Sequence, residues 1–108
     1  MIIGDSMIES IEVLIRNGIH ITMNALILYS KRTAYINDKK YQITDSFLEE
    51  LEEIIYLWKN EYGSSNTIDA EEFLVTVTTN KGKETFHGKG IFPHNYEALK
   101  ELLSDQYD

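Results

Sequence analysis

The sequence predicts an α+β fold: a single antiparallel sheet of five or six strands with two helices packed on one face. Three observations carry that prediction. Residues 8–43 and 71–92 are built from short alternating apolar and polar stretches rich in β-branched side chains. Residues 44–63, TDSFLEELEEIIYLWKNEYG, switch to apolar steps of three and four. Residues 93–104 switch again over a shorter span. Nothing repeats and no Gly- or Pro-rich linker divides the chain, so residues 1–108 read as one domain.

The first element admits two readings. As a helix, Ser6 would cap, Glu9 would close the box, Met7, Ile8, Ile11, Leu14 and Ile15 would share a face, and Gly18 would stop it. As a strand, Ile11, Val13 and Ile15 alternate with Glu12, Leu14 and Arg16. The resumption of alternation at Ile19, Ile21, Met23, Ala25 and Ile27 favours a strand pair. A three-residue loop, Arg16-Asn17-Gly18, would pair Ile15 with Ile19 and keep both odd-numbered rows on one side; a two-residue Asn-Gly turn would put them on opposite faces. Residues 25–29 are apolar on both faces, as expected for a central strand covered on two sides. A turn at 30–32, a strand at 33–36, a turn at Asn37-Asp38 and a strand at 40–43 lead into the long helix.

In that helix Phe47, Leu48, Leu51, Ile54, Ile55, Trp58 and Tyr62 form the apolar stripe. Thr44, with Ile43 stapled on Leu48, or Ser46, boxed with Glu49, caps the start, and Gly63 ends it. Residues 71–79 then form a strand, Asn80-Lys81-Gly82 a hairpin loop, and residues 83–92 the returning strand. Gly88 and Gly90 lie two apart on that strand, a pattern of close backbone approach. Pro93 ends it. Asn95 caps a helix whose stripe is Tyr96, Leu99, Leu102 and Leu103.

A meander entering a helix through ITDSFLEEL, the strand IDAEEFLVTV, a Gly-rich strand and FPHNYEALKELL occur in that order. This order resembles small uncharacterised Gram-positive bacterial proteins in which a Gly-rich strand precedes an aromatic-Pro-x-Asn-aromatic helix start. The resemblance covers about residues 25–104. It implies the α+β fold and transfers no site residues.

Composition narrows the function. The absence of cysteine excludes disulfides, thiolate metal sites and Cys nucleophiles. No stretch nears the ~20 apolar residues of a membrane span, and MIIGDSMIES lacks the pattern of a signal peptide, so a cytoplasmic protein is expected. The net charge is −8, and the asymmetry is internal: residues 1–43 hold four acids and five bases, residues 44–108 fourteen acids and five bases. Such a surface repels phosphate backbones, and direct nucleic-acid binding is not expected.

No catalytic residue, metal site or cofactor is predicted. The serines occupy polar or capping contexts, and Gly88-Lys89-Gly90 misses both the Walker and the dinucleotide fingerprints. The histidines His20, His87 and His94 lack ligand spacing. The tyrosines flank the inferred core, where ring burial with a wet hydroxyl suits either core edge or interface. The sharpest feature is the acidic outer face of the long helix, Asp45, Glu49, Glu50, Glu52 and Glu53, which reads either as a solvated face or as a docking surface for a basic protein. A small non-enzymatic binding protein of inhibitor or immunity type is the leading expectation. Two others stand beside it: an acidic nucleic-acid mimic, and a ligand-binding domain or enzyme with a pocket at His87, Gly88, Gly90 and His94. A homodimer through an exposed edge strand is a further expectation.

Overall fold

A computed structural model of the chain describes residues 7–65 and 70–105. Seven strands form one sheet: β1 (Ile8–Asn17), β2 (His20–Leu28), β3 (Thr33–Ile36), β4 (Lys39–Gln42), β5 (Glu61–Ser64), β6 (Glu71–Thr79) and β7 (Gly82–Lys89). Two helices, α1 (Asp45–Ile55) and α2 (Tyr96–Ser104), complete the fold. The strand order is β4-β3-β2-β1-β6-β7-β5. All pairings are antiparallel except β5 with β7, which is parallel. The class is α+β as expected, but the sheet is mixed and has seven strands.

The seventh strand comes from the stretch read as the last turns of the long helix. Helix α1 ends at Ile55, not Gly63. Trp58 and Tyr62 still face the core, but from a turn and from β5. The Trp58 ring meets Phe73 and Phe86 edge-on, with centroids 5.5 and 6.3 Å away. Its indole N–H donates to Asn95 Oδ1 at 2.7 Å, and Asn95 Nδ2 donates to the Ile54 carbonyl at 2.7 Å. Asn95 therefore ties the end of α1 to the start of α2 and makes no side-chain cap on its own helix. Gly63 adopts φ +96° within β5 and caps nothing. At the other end, Thr44 is the cap, accepting from the Phe47 N–H at 3.1 Å.

Residues 8–17 are a strand, and β1 lies at the centre of the sheet. The β1–β2 turn is the two-residue Gly18-Ile19, since Asn17 pairs with His20. A bulge then restores the faces: Arg16 pairs with Ile21 but Ile15 with Met23, leaving Thr22 extra, its hydroxyl on the Ile15 carbonyl. Ile19 and Ile21 consequently stay out of the core, 92% and 61% exposed. The β6–β7 turn is likewise two residues, Asn80-Lys81, with Thr79 opposite Gly82, and β7 ends at Lys89.

The inward rows are Ile11, Val13 and Ile15, then Met23, Ala25 and Ile27, Ala34 and Ile36, and Phe73, Val75 and Val77, with Phe86. They share one core with Phe47, Leu48, Leu51 and Ile55 of α1 and Tyr96, Leu99 and Leu103 of α2. Both helices thus cover the same face. The opposite face is open: Leu26 and Leu28, read as the covered second side of a central strand, are half-buried there. The molecule is a plate of 39 × 32 × 21 Å, two layers thick.

Candidate functional site

The helix layer holds most of the charge. Helix α1 contributes five carboxylates, Asp45, Glu49, Glu50, Glu52 and Glu53, because its buried stripe takes Phe47, Leu48, Leu51 and Ile55. Helix α2 and its end add three more, Glu97, Glu101 and Asp105, against a single base, Lys100. That base is turned toward the sheet, where Nζ meets Glu71 at 3.1 Å, and only weakly reaches Glu97 at 3.8 Å. Glu71 also accepts from the buried Tyr96 hydroxyl at 2.5 Å. Burial, then this carboxylate, pushes the Tyr96 phenol far above its ordinary range.

The five predicted partner-binding residues do not share one fate. Asp45 pairs with Arg32 at 2.6 Å. Glu52, half-buried, accepts from the Tyr29 hydroxyl at 2.9 Å, and burial followed by that contact pushes the Tyr29 phenol upward. Glu49, Glu50 and Glu53 are exposed and have no ion pair among the described residues. Glu50 and Glu53 line a groove of about 410 Å³ between the helices, facing Glu101 and Asp105 over a floor of Ile54, Ala98 and Leu102. Beside it, Glu49, Glu52, Glu53 and Tyr56 border a second hollow of about 370 Å³. Tyr56 and Leu57, at the end of α1, are 57% and 80% exposed. Carboxylates and exposed apolar side chains therefore lie together.

A second cluster, not foreseen from the sequence, lies on the open sheet face. His87 Nε2 meets Glu72 at 2.6 Å, and Nδ1 meets Glu61 at 2.9 Å. Arg16 holds the other oxygen of Glu72 at 2.8–2.9 Å. The chain Arg16–Glu72–His87–Glu61 thus crosses β1, β6, β7 and β5. The Glu72 hydrogen bond, and then Glu61, raises the His87 pKa against the opposing effect of burial. The same contacts lower Glu61 and Glu72. Each ring nitrogen faces a carboxylate, an arrangement that favours the doubly protonated imidazolium as a strut between Glu72 and Glu61. The carboxylates sit at opposite ends of the ring, so they share no vertex for a cation. Among the described residues no group of three or more His, Asp or Glu side chains could hold a metal ion. The register of β6 and β7 makes Glu72 and His87 outward neighbours, a relation visible once both strands are drawn; Glu61 was hidden by its assignment to a helix.

The residues of the alternative pocket are not brought together. His87 points to the open face, whereas Gly88 points inward against Phe73 and Tyr62. Gly90 lies beyond the strand at φ +73°, packed on Ser65 and Ala70. His94 is exposed in the segment entering α2. The two glycines admit other parts of the same chain.

In comparison with known proteins, no family model matches this chain, and neither a curated protein nor a solved structure matches it.

Proposed function

We propose that this chain is a small non-enzymatic binding protein whose acidic helix layer docks a basic protein surface. One observation carries the reading. Four carboxylates, Glu50, Glu53, Glu101 and Asp105, face one another across a groove floored by Ile54, Ala98 and Leu102, with no cation among them in the described residues. Like charges at i,i+4, as in Glu49 and Glu53, cost about 0.2–0.5 kcal/mol on an exposed helix. A basic partner would remove that repulsion, and Tyr56, Leu57 and the groove floor offer the apolar contacts that supply most binding energy. The carboxylates would steer the encounter and select the partner.

The test is affinity capture of basic proteins from a cell lysate on the intact chain and on a Glu49→Gln/Glu50→Gln/Glu53→Gln/Glu101→Gln variant, at low and moderate salt. The reading expects a discrete partner held by the intact chain, released as salt rises and not held by the variant. Equal capture by both chains, or none by either, refutes it. Displacement of the captured partner by duplex DNA would identify the docking surface as a nucleic-acid mimic.

A further inference from the structure

The open sheet face carries a connected apolar band. Leu26 on β2 pairs with Tyr35 on β3, and Leu14 on β1 pairs with Leu74 on β6. Leu14 lies opposite Asn24, one step of two residues from Leu26, which makes Leu14 and Leu26 diagonal neighbours. Tyr35, Leu26, Leu14 and Leu74 therefore run as one stripe across four adjacent strands, about 14 Å at the ordinary strand spacing. Tyr35 and Leu74 remain 39% and 38% exposed, and Leu14 and Leu26 are only half-buried. Shallow hollows flank the stripe. One is beside Leu26 and Tyr35, about 430 Å³; the other, beside Leu14 and Leu74, is about 180 Å³.

Charge decides what can cover this stripe. On the outward rows, the carboxylates Glu12, Glu61 and Glu72 stand against the bases Arg16, Lys40, Lys83 and Lys89, with His87 between Glu61 and Glu72. The face has no excess of acid, although the chain as a whole carries −8. Two copies of so acidic a protein repel through their helix layers, and the sheet face is where they can meet without that repulsion. The face has room for such a contact: its outline lies within 39 × 32 Å, and a standard stable interface takes roughly 800 Å² per partner. The sheet edges are poorer candidates: β4 and β5 are four residues each, β4 carries Lys39 and Lys40, and the β5 pairing is irregular.

We infer that the open face binds a second copy of this chain, two sheets stacking about a twofold axis with the Tyr35–Leu26–Leu14–Leu74 stripes at the centre. Face-to-face sheets pack about 10 Å apart, close enough for these side chains to interdigitate. Such a dimer turns both acidic helix layers outward.

Sedimentation equilibrium of the full chain, over a concentration series at low and moderate salt, tests this. The inference expects a monomer–dimer equilibrium that does not weaken as salt rises. Leu26→Lys and Leu74→Lys should each weaken the dimer about tenfold or more, with circular dichroism checking the fold. Should either variant misfold, Thr76→Arg introduces bulk and charge beside the stripe without removing an apolar contact, and should act the same way. Glu49→Gln/Glu53→Gln on the helix layer should leave the dimer constant unchanged. A monomer throughout overturns the inference. A dimer that survives the sheet-face changes, as one formed through an edge strand would, overturns it equally.

Discussion

Replacing Gly88 by alanine separates a packing glycine from a ligand-admitting one. A Cβ at this position would run into the carbonyl oxygen of Ile91 and lie 2.8 Å from the Phe73 ring and 3.0 Å from Tyr62 Cβ. None of these can yield cheaply. The first is backbone, and Phe73 is a fully buried ring at the hub of the aromatic cluster, 5.1 Å from Tyr96 and 5.5 Å from Trp58. Overpacking of this kind costs about 1–3 kcal/mol, and with three obstacles the upper half of that range applies. For a domain of this size the melting temperature should fall by roughly 10–20 °C. Gly18→Ala is the control. It has open space around its Cβ but a φ of +59°, so it incurs only the left-handed backbone cost of about 1–2 kcal/mol. The assay is thermal and denaturant unfolding of the three proteins side by side. An unchanged or raised melting temperature for Gly88→Ala would refute the close packing of the 91–92 segment on β7, and would reopen that end of the sheet as a pocket.

Three more outcomes follow from the geometry. The raised His87 pKa means its contribution to stability is complete below the ordinary histidine value of ~6.5 and is lost as pH rises through the folded-state value. The lowered Glu72 pKa means its contribution is present above the ordinary carboxylate value and is lost as pH falls through the folded-state one. His87→Gln should therefore cost most between about pH 4.5 and 6.5, roughly 1 kcal/mol after solvent screening, and progressively less above it; a pH-independent cost measured by urea titration would contradict the imidazolium strut. Asn95→Ala removes the partner of the Trp58 N–H and of the Ile54 carbonyl at once, and should destabilise by about 2–3 kcal/mol in denaturant melts. The Glu49→Gln/Glu53→Gln protein should be more stable than the natural chain by a few tenths of a kcal/mol and, under the docking role we propose, should hold a basic protein less tightly; a loss of stability would show that these carboxylates have intramolecular roles.

Much of the fold is legible in the chain because local and global preferences agree there. Residues 71–79 alternate cleanly and form a strand with those bounds, and α1 begins at the Thr44 cap. Where tertiary contacts override the local pattern, legibility fails. Residues 56–62 continue the helical spacing of apolar side chains, yet Trp58 gains two aromatic partners and a hydrogen bond to Asn95 by leaving the helix, and β5 gains a parallel ladder on β7. The three-residue loops Arg16-Asn17-Gly18 and Asn80-Lys81-Gly82 are both two-residue turns in the structure because loop length is set by register: a bulge at Thr22 corrects a β1–β2 turn that would otherwise have inverted the faces of β2. The acidic face of α1 is readable from spacing alone. Its junction with Glu101 and Asp105 is not, because two helices separated by three strands of sequence meet only in the folded layer. The Arg16–Glu72–His87–Glu61 chain likewise needs the order of four strands, including one the helical pattern conceals.

The docking role we propose for the helix layer is tested most directly by backbone amide NMR of the labelled chain, titrated with whichever basic protein the capture experiment recovers. The account predicts shifts concentrated in α1, the residues after it that carry Tyr56 and Leu57, and α2, and shrinking as salt is added. Shifts centred on β1, β2 and β6 of the open sheet face, with α1 and α2 silent, would contradict it.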